Sequence, residues 1–207
     1  MQEKNNYISS SCSISKNIIS KNENIVFETK SATLSDFFLS AYHFFDFKYP
    51  KFYKMDNLCK LGWLASEILL KDSFKHSDYK PEEVGILFAN ANASIDTDLK
   101  YFETTKDFAS PSLFVYTLPN IVMGEICIRN RFKGENAFFV QERFDANFVQ
   151  QYVNDLLNNN ILQACIFGWI DVLPENCEAE LFLAEKENAT GSVPLTTQNI
   201  ENIISKK

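Results

Sequence analysis

The chain has 207 residues, a length that predicts one domain over residues 1–207, with a core to residue 190 and a C-terminal helix or tail from 191 to 207. The net charge of −7 excludes nucleic acid as an expected partner, because phosphate binding needs a basic face. No apolar run approaches the roughly 20 residues of a membrane span, and the polar N-terminus lacks the apolar region of a signal peptide.

The cysteine and histidine content predicts neither disulfides nor a metal site. None of the five cysteines has CxxC spacing, and three lie inside apolar runs, as reduced buried thiols do in a cytoplasmic protein. His43 and His76 are far apart and have no cysteine or carboxylate pairs at ligand spacing. No glycine-rich phosphate loop is present, so we expect no cofactor.

The first quarter of the chain predicts two short strands and then an aromatic segment. Residues 7–14 and 25–27 combine small and β-favouring side chains. Residues 34–53 are dense in phenylalanine and tyrosine but follow neither a strand nor a helix period. We interpret this segment as covering or interface structure rather than as a ligand pocket.

The middle of the chain predicts helices that alternate with one strand. Residues 56–71 carry a leucine-rich stripe at helical spacing. An apolar strand over 84–89 runs into a small polar loop, 90–94. Ser110-Pro111 opens a further segment, and Pro119-Asn120 starts a helix that runs to about residue 132.

Residues 134–171 predict a strand, a sharp turn, a helix and a second strand. The apolar run 137–140 is the first strand, 141–145 is the turn, and Asp145 is placed to cap the helix that follows. A buried strand starts at 164, which completes a βαβ crossover. In many α/β enzymes such a turn carries the nucleophile, and here it carries the three residues Gln141, Glu142 and Arg143.

The last part of the chain predicts an alternating strand over 179–184 and a short helix within 194–205. The order of elements therefore predicts an α/β fold, with a mixed five-stranded sheet covered by helices.

The residue patterns leave the chemistry open. No GxSxG elbow occurs, and Cys59, Cys127 and Cys165 fall inside predicted helices or strands. Cys12 is expected to be the more exposed thiol, but no histidine partner is evident. Arg143 and Glu142 have two interpretations: a catalytic acid or anion clamp at a helix N-terminus, or turn residues without chemistry.

The order of several short motifs resembles the N-terminal half of a β-ketoacyl-acyl-carrier-protein synthase, which has the thiolase fold. The motifs are KMDNLCKL at 54–61, VGIL at 84–87, SPSLF at 110–114 with LPN at 118–120, KGEN at 133–136 and FGWID at 167–171. Each is weak alone, but together they cover nearly the whole chain in the order of that family.

The resemblance implies a subunit that does not catalyse condensation. Counted from Gly134 without gaps, the position of the family's nucleophilic cysteine is Arg143. The family's catalytic histidines and lysine belong to the C-terminal half, which we expect this sequence to lack. The chain is thus similar to small chain length factors of type II polyketide, aryl polyene and flexirubin-type systems. Such a protein pairs with an active β-ketoacyl synthase, and acyl carrier protein is expected to dock on that partner.

The resemblance also implies an interface, because the strand before the nucleophile turn lies at the dimer contact in that family. Six residues are predicted to form the interface or an acyl tunnel: Phe114, Asn120, Phe138, Phe139, Val140 and Phe144. Two alternatives stay open. The chain is an acyl-thioester enzyme that uses Glu142 or Cys12, or it is a homodimeric acyl-binding protein.

Overall fold

A twisted mixed sheet forms the centre of the computed structural model, which describes residues 6–30, 33–186 and 190–206. Within these residues the sheet has eight strands in the order β3-β2-β1-β7-β6-β4-β5, and β8 pairs with the first residues of β1. The strands are β1 Tyr7–Ser15, β2 Ile18–Lys21, β3 Asn24–Glu28, β4 Val84–Asn90, β5 Asn136–Val140, β6 Ala164–Leu173, β7 Asn176–Glu185 and β8 Val193–Pro194.

The predicted α/β class and the mixed sheet are confirmed, but the predicted count of five strands is too low. Five strands, β1, β7, β6, β4 and β5, form the inner sheet, and the hairpin β2–β3 and the short β8 extend it. The hairpin turns at Lys16-Asn17 and Asn22-Glu23 have positive φ at both residues. Turns of this kind usually contain glycine, so Lys-Asn and Asn-Glu gave no sequence signal for a hairpin.

The predicted crossover over residues 134–171 is present, with one strand inserted. β5 and β6 both run parallel to β4 and lie on its two sides, so the connecting helix α6, Ala146–Asn158, passes over β4. All seven residues of β4 are buried, as expected for a central strand that is covered on both faces.

Helices cover the two faces of the sheet unequally. The helices α1 Leu34–Phe44, α2 Asn57–Leu70 and α5 Ile121–Asn130 pack on one face in the larger core. On the other face, α6 and α7, Thr197–Ser205, pack over the second core. Two further helices, α3 Ile95–Thr104 and α4 Pro111–Val115, follow β4.

Helix α2 lies at the centre of the larger core, where Gly62 permits close packing on α5. A Cβ at Gly62 would lie 2.4 Å from Cγ2 of Val122. The helix begins after Asp56, whose side chain accepts a hydrogen bond from the backbone N–H of Cys59 at 2.9 Å. The predicted helix over 56–71 is confirmed.

The aromatic segment 34–53 is largely core, which differs from the interpretation as covering or interface structure. Its first half is helix α1, and Phe37, Phe38, Tyr42 and Phe52 are buried. Tyr42 stacks on Phe52 with ring centroids 4.5 Å apart. The helix was missed because phenylalanine and tyrosine occupy its exposed and buried faces alike, which hides the helical period.

Candidate functional site

The turn between β5 and α6 has the shape of a strand-to-helix elbow. The backbone N–H of Gln141 donates to the carbonyl oxygen of Asn90 at 2.8 Å, so the turn starts against the end of β4. The side chain of Asp145 accepts from the backbone N–H of Phe148 at 2.9 Å, which confirms the predicted N-cap. Gln141, Glu142 and Arg143 occupy the elbow between these two anchors.

Asp171 and Asn90 hold the loop that follows β4 beside this elbow. The carboxylate of Asp171 accepts from the backbone N–H of Asn92 at 3.1 Å and from its side-chain amide at 2.5 Å. The fully buried side chain of Asn90 exchanges two hydrogen bonds with the backbone of Ala93, at 2.8 and 2.9 Å. Ala93 therefore keeps its left-handed backbone, with φ of 46°, and the loop is ordered.

Arg143 is exposed at the edge of a cleft of about 470 Å³ beside the elbow. Among the described residues it forms no hydrogen bond and no ion pair. The cleft has an aromatic wall, in which the rings of Phe144 and Trp169 meet edge to face at 6.2 Å. Its other charged lining residues are four glutamates: Glu142, Glu178, Glu180 and Glu201. Because carboxylates outnumber the single guanidinium, the cleft as a whole does not favour an anion.

A larger groove, of about 560 Å³, meets this cleft at Glu178 and Glu180. It lies between β1, β2 and the end of helix α7, which contributes Ile203 and Lys206 to its lining. Serine side chains of β1 and β2 form its floor: Ser11, Ser13, Ser15 and Ser20. Hydroxyl groups without an adjacent base do not make a nucleophile, so the groove adds no catalytic group to the elbow.

Burial disfavours the reactive thiolate form of four of the five cysteines. Burial raises the pKa of Cys165 and of Cys177 to about 12, and it also raises the pKa of Cys59 and of Cys127. The expected exposure of Cys12 is wrong, since this thiol is buried with 2% of its surface accessible. Its side chain points from β1 into the core around α2, on the face opposite the serines that made the strand look exposed.

The predicted interface residues fall at separate places. Phe138 packs against the larger core and Phe139 against the second core, whereas Val140 at the end of β5 is 58% exposed. Phe144 faces Trp169 in the cleft. Phe114 and Asn120 are exposed on α4 and at the start of α5, so the structure brings together only the β5 residues and the elbow.

Helix α3 is an exposed element that the sequence analysis did not identify. Its apolar residues Ile95, Leu99 and Phe102 face solvent, whereas Asp96 and Thr97 are buried. The three apolar residues have the spacing i, i+4 and i+7, which is typical of one face of a helix, so the sequence does contain a signal for α3.

The described residues contain no group of three or more histidine, cysteine, aspartate or glutamate side chains arranged to hold a metal ion. In the same part of the chain, no helix combines the length and the apolar composition needed to cross a membrane.

The architecture identifies the class of fold first: the chain has the thiolase-like α/β fold of ketosynthase-type proteins. Its structure is similar to the ishigamide ketosynthase/chain length factor, with a TM-score of 0.66 and 14% identity over 92% of this chain. It is also similar to a type II polyketide synthase acyl-carrier protein complex with its ketosynthase bound to the hexaketide (AntDE:AntF), with a TM-score of 0.61, 14% identity and 87% of this chain. The chain spans 64% and 62% of the lengths of these two neighbours.

A third similar structure is the complex of the ketosynthase ApeO with its chain length factor ApeC from Xenorhabdus doucetiae. The match has a TM-score of 0.52 and 13% identity, and it covers 77% of this chain and 74% of that chain. No family model and no curated protein sequence matches the chain, so these likenesses rest on structure. The resemblance to ketosynthases and chain length factors is thus confirmed at the level of the fold.

Proposed function

We propose that this chain is a non-condensing ketosynthase-like subunit, similar to a chain length factor. It pairs with an active β-ketoacyl synthase in polyketide or fatty-acid biosynthesis of the aryl polyene type, in the cytoplasm and as one domain. The observation that carries the proposal is the elbow. It keeps the strand, the turn and the capped helix of a nucleophile site, but Arg143 occupies the turn.

The thiols support the proposed lack of condensing chemistry. A condensing enzyme holds its acyl chain on a thiolate, and the thiolate is the reactive form of cysteine. In this chain burial disfavours the thiolate at Cys59, Cys127, Cys165 and Cys177. The burial of Cys12 likewise argues against the alternative of a Cys12 enzyme.

The free edge of β5 supports pairing with another subunit. Among the strands of the described residues, β5 pairs only with β4, and it ends the sheet. Glu135 accepts from the N–H of Ile86, and Gln141 donates to Asn90, so the odd-numbered residues of this segment bond to β4. The backbone groups of Phe138 and Val140 therefore point to the open edge, where a partner strand could add to the sheet.

The proposed partner supplies the catalytic groups and binds acyl carrier protein. Acyl carrier proteins are acidic, so a chain with a net charge of −7 does not attract one strongly. In the complex, Gln141 and Arg143 fill the inactive pocket or reach toward the partner's acyl tunnel.

The lack of catalysis is tested with the purified chain and an acyl-carrier-protein thioester. We expect no acyl adduct in the intact mass and no thioester cleavage. An adduct on any residue, or cleavage that is lost in Glu142→Gln, would support the alternative of an acyl-thioester enzyme. Pairing is tested separately, by retention of ketosynthases of the source organism on the tagged chain.

A further inference from the structure

The groove between β1, β2 and the end of α7 is the larger of the two cavities described above, and the proposed function does not use it. Its volume of about 560 Å³ lies within the roughly 300–1,000 Å³ that is typical of small-molecule sites. In the strand order of the sheet, β1 and β2 lie toward the β3 edge, whereas β5 forms the opposite edge. A ligand in this groove therefore leaves the β5 edge open to a partner.

Serine side chains project into this groove because the side chains of a strand alternate between its two faces. Cys12 and Ile14 of β1 pack in the larger core, so the odd-numbered residues around them face the opposite side of the sheet. In the register of the β1–β2 hairpin, Ser20 lies directly opposite Ser13, so both side chains are on the same side. We call the serines that line the groove on this side the groove serines: Ser11, Ser13, Ser15 and Ser20.

The hydroxyl groups of the groove serines form no hydrogen bond within the part of the chain that the structure describes. The preceding serines of β1 differ, since Ser9 donates to the carboxylate of Glu185. Ser10 likewise donates to the carbonyl oxygen of Leu69 at 3.2 Å. Ser11 is only 9% exposed, and buried hydroxyl groups normally have a partner. Its hydroxyl, which faces the groove, is therefore available to a bound molecule.

The groove serines and two glutamates form a regular array of hydrogen-bonding groups. In the pairing of β1 with β7, Glu180 lies directly opposite Ser13, and Glu178 lies directly opposite Ser15. Cβ atoms of directly opposite residues are about 5 Å apart, and side chains that repeat along one face of a strand are about 7 Å apart. A serine hydroxyl donates and accepts, whereas a carboxylate only accepts. Such an array matches a ligand with several hydroxyl groups, because each of them also donates and accepts.

The charges in the groove nearly balance, which argues against a strongly charged ligand. The charged residues of its lining are three glutamates and two lysines: Glu23, Glu178, Glu180, Lys16 and Lys206. The ammonium group of Lys206 pairs with the carboxylate of Glu23 at 2.9 Å. The remaining charges are of both signs, so the groove has no strong field of one sign that attracts an anion or a cation. The lining therefore favours a neutral ligand.

Isoleucine side chains give the groove an apolar wall beside its polar floor. Ile18, Ile25 and Ile203 come from β2, β3 and α7. Ile25 is 63% exposed, so a bound molecule has apolar surface to cover there. Polar groups on one side and apolar groups on the other suit a ligand that carries both hydroxyl groups and exposed carbon atoms.

We propose that this groove binds a neutral small molecule with several hydroxyl groups, such as a mono- or disaccharide. The groove serines and Glu178 form hydrogen bonds with the hydroxyl groups of the ligand, and the isoleucine wall contacts its carbon atoms. Because the ligand replaces water at the serines, the net gain from each hydrogen bond is small, and binding depends on several of them together. The inference does not rest on the proposed function, since the groove lies away from the β5 edge.

The test is a titration of the isotope-labelled chain with glucose, maltose and myo-inositol, followed by NMR of the backbone amide groups. We expect at least one of these probes to shift the signals of β1 and β2, with a Kd on the order of 1 mM. The double variant Ser11→Ala/Ser13→Ala should raise that Kd at least about fivefold, because two hydrogen bonds are lost. Ser40→Ala is the matched control, since Ser40 is exposed on α1 outside the groove, and it should leave the Kd within about twofold.

Folded wild-type chain that binds none of the three probes, or that binds them outside β1 and β2, overturns the site. Equal binding by wild type and the double variant overturns it as well. Glucosamine and glucuronate, the charged analogues of glucose, should bind no more tightly than glucose, and tighter binding of either one overturns the assignment of a neutral ligand.

Thermal melting checks that each variant folds. If the double variant is unfolded, Ser13→Ala alone is used, because Ser13 is partly exposed and its replacement disturbs the sheet less. Ser13→Ala should also bind a ketosynthase as wild type does, so sugar binding and pairing fail independently of each other.

Discussion

Arg143 lies exposed in the turn between β5 and α6, and four of the five thiols of this chain are buried. Cys165 lies on the fully buried part of β6, and Cys177 starts β7 in the larger core. Only Cys127, at the outer side of α5, is half-buried, and its sulfur accepts a hydrogen bond from the Asn136 amide at 3.5 Å. Thiol chemistry in the native protein is therefore confined to a residue away from the elbow.

Thiol accessibility provides a direct check. We expect a bulky maleimide at neutral pH to modify Cys127 first, because the other thiols are buried, and to modify all five after denaturation. Intact mass spectrometry with and without denaturant counts the adducts, and Cys127→Ser should remove the native one. Rapid native modification of Cys12 or Cys165 would contradict the burial described above.

The raised pKa values predict a loss of stability at alkaline pH. In the folded chain the pKa values of Cys165 and Cys177 are about 12, mainly because of burial, and in the unfolded chain both thiols titrate near ~8.5. Between these values the unfolded state has lost protons that the folded state retains, so the free energy of unfolding falls as pH rises. We expect a loss on the order of 2 kcal/mol for each of the two thiols between about pH 8 and about pH 10.

Urea unfolding over this pH range measures the effect. The double variant Cys165→Ala/Cys177→Ala is less stable at neutral pH, because it leaves cavities, but its stability should fall less steeply with pH. The same slope in both proteins would mean that other groups cause the alkaline loss.

The roles of single residues were predictable where they depend only on neighbouring residues in the sequence. The caps Asp56 and Asp145 follow from their position just before an apolar helical stripe, and the structure contains both hydrogen bonds. The side to which Cys12 points was not predictable, because a strand that alternates serine with other small residues looks polar on both faces. Only the packing of β1 on α2 decides which of its faces is buried.

At the scale of elements, strong periods were recognised and unusual faces were missed. Helices α2, α6 and α7 follow from their apolar spacing and α5 from its Pro119-Asn120 start, whereas β4 and β6 follow from apolar runs and β7 from alternation. Helix α1 was missed because both of its faces carry aromatic residues. Helix α3 was missed because charged and polar residues separate the apolar residues of its stripe. Of these two helices, α3 is the one whose apolar side faces solvent.

The open edge of β5 leads to a prediction about strand addition by a partner. Val140→Pro removes an outward N–H and an exposed side chain without removing a hydrogen bond to β4, because residue 140 points away from that strand. We expect the variant to fold and to bind the ketosynthase at least about tenfold more weakly in a binding titration. Val140→Thr keeps the N–H and the shape, so it serves as the control. Full binding by Val140→Pro would exclude strand addition at this edge.

For the whole molecule, the open edge of β5 and the exposed apolar face of α3 lie at the end of the sheet that carries the elbow. β5 is the edge strand that leads into the elbow, and helix α3 follows the adjacent strand β4. At the opposite edge, β3 also carries an exposed isoleucine, Ile25, but its hairpin is pinned to α7 by the ion pair between Glu23 and Lys206. The fold class was predictable from the order of motifs, whereas this distribution of exposed apolar surface depended on the three-dimensional structure.

The central claim is that the chain works as the non-condensing half of a pair. Its most direct test is the mass of the complex, by native mass spectrometry, after co-expression with each ketosynthase of the source organism. We predict a one-to-one complex with one of them, which condenses acyl groups only as the pair. A chain that stays monomeric or forms only self-dimers with every ketosynthase would contradict the account.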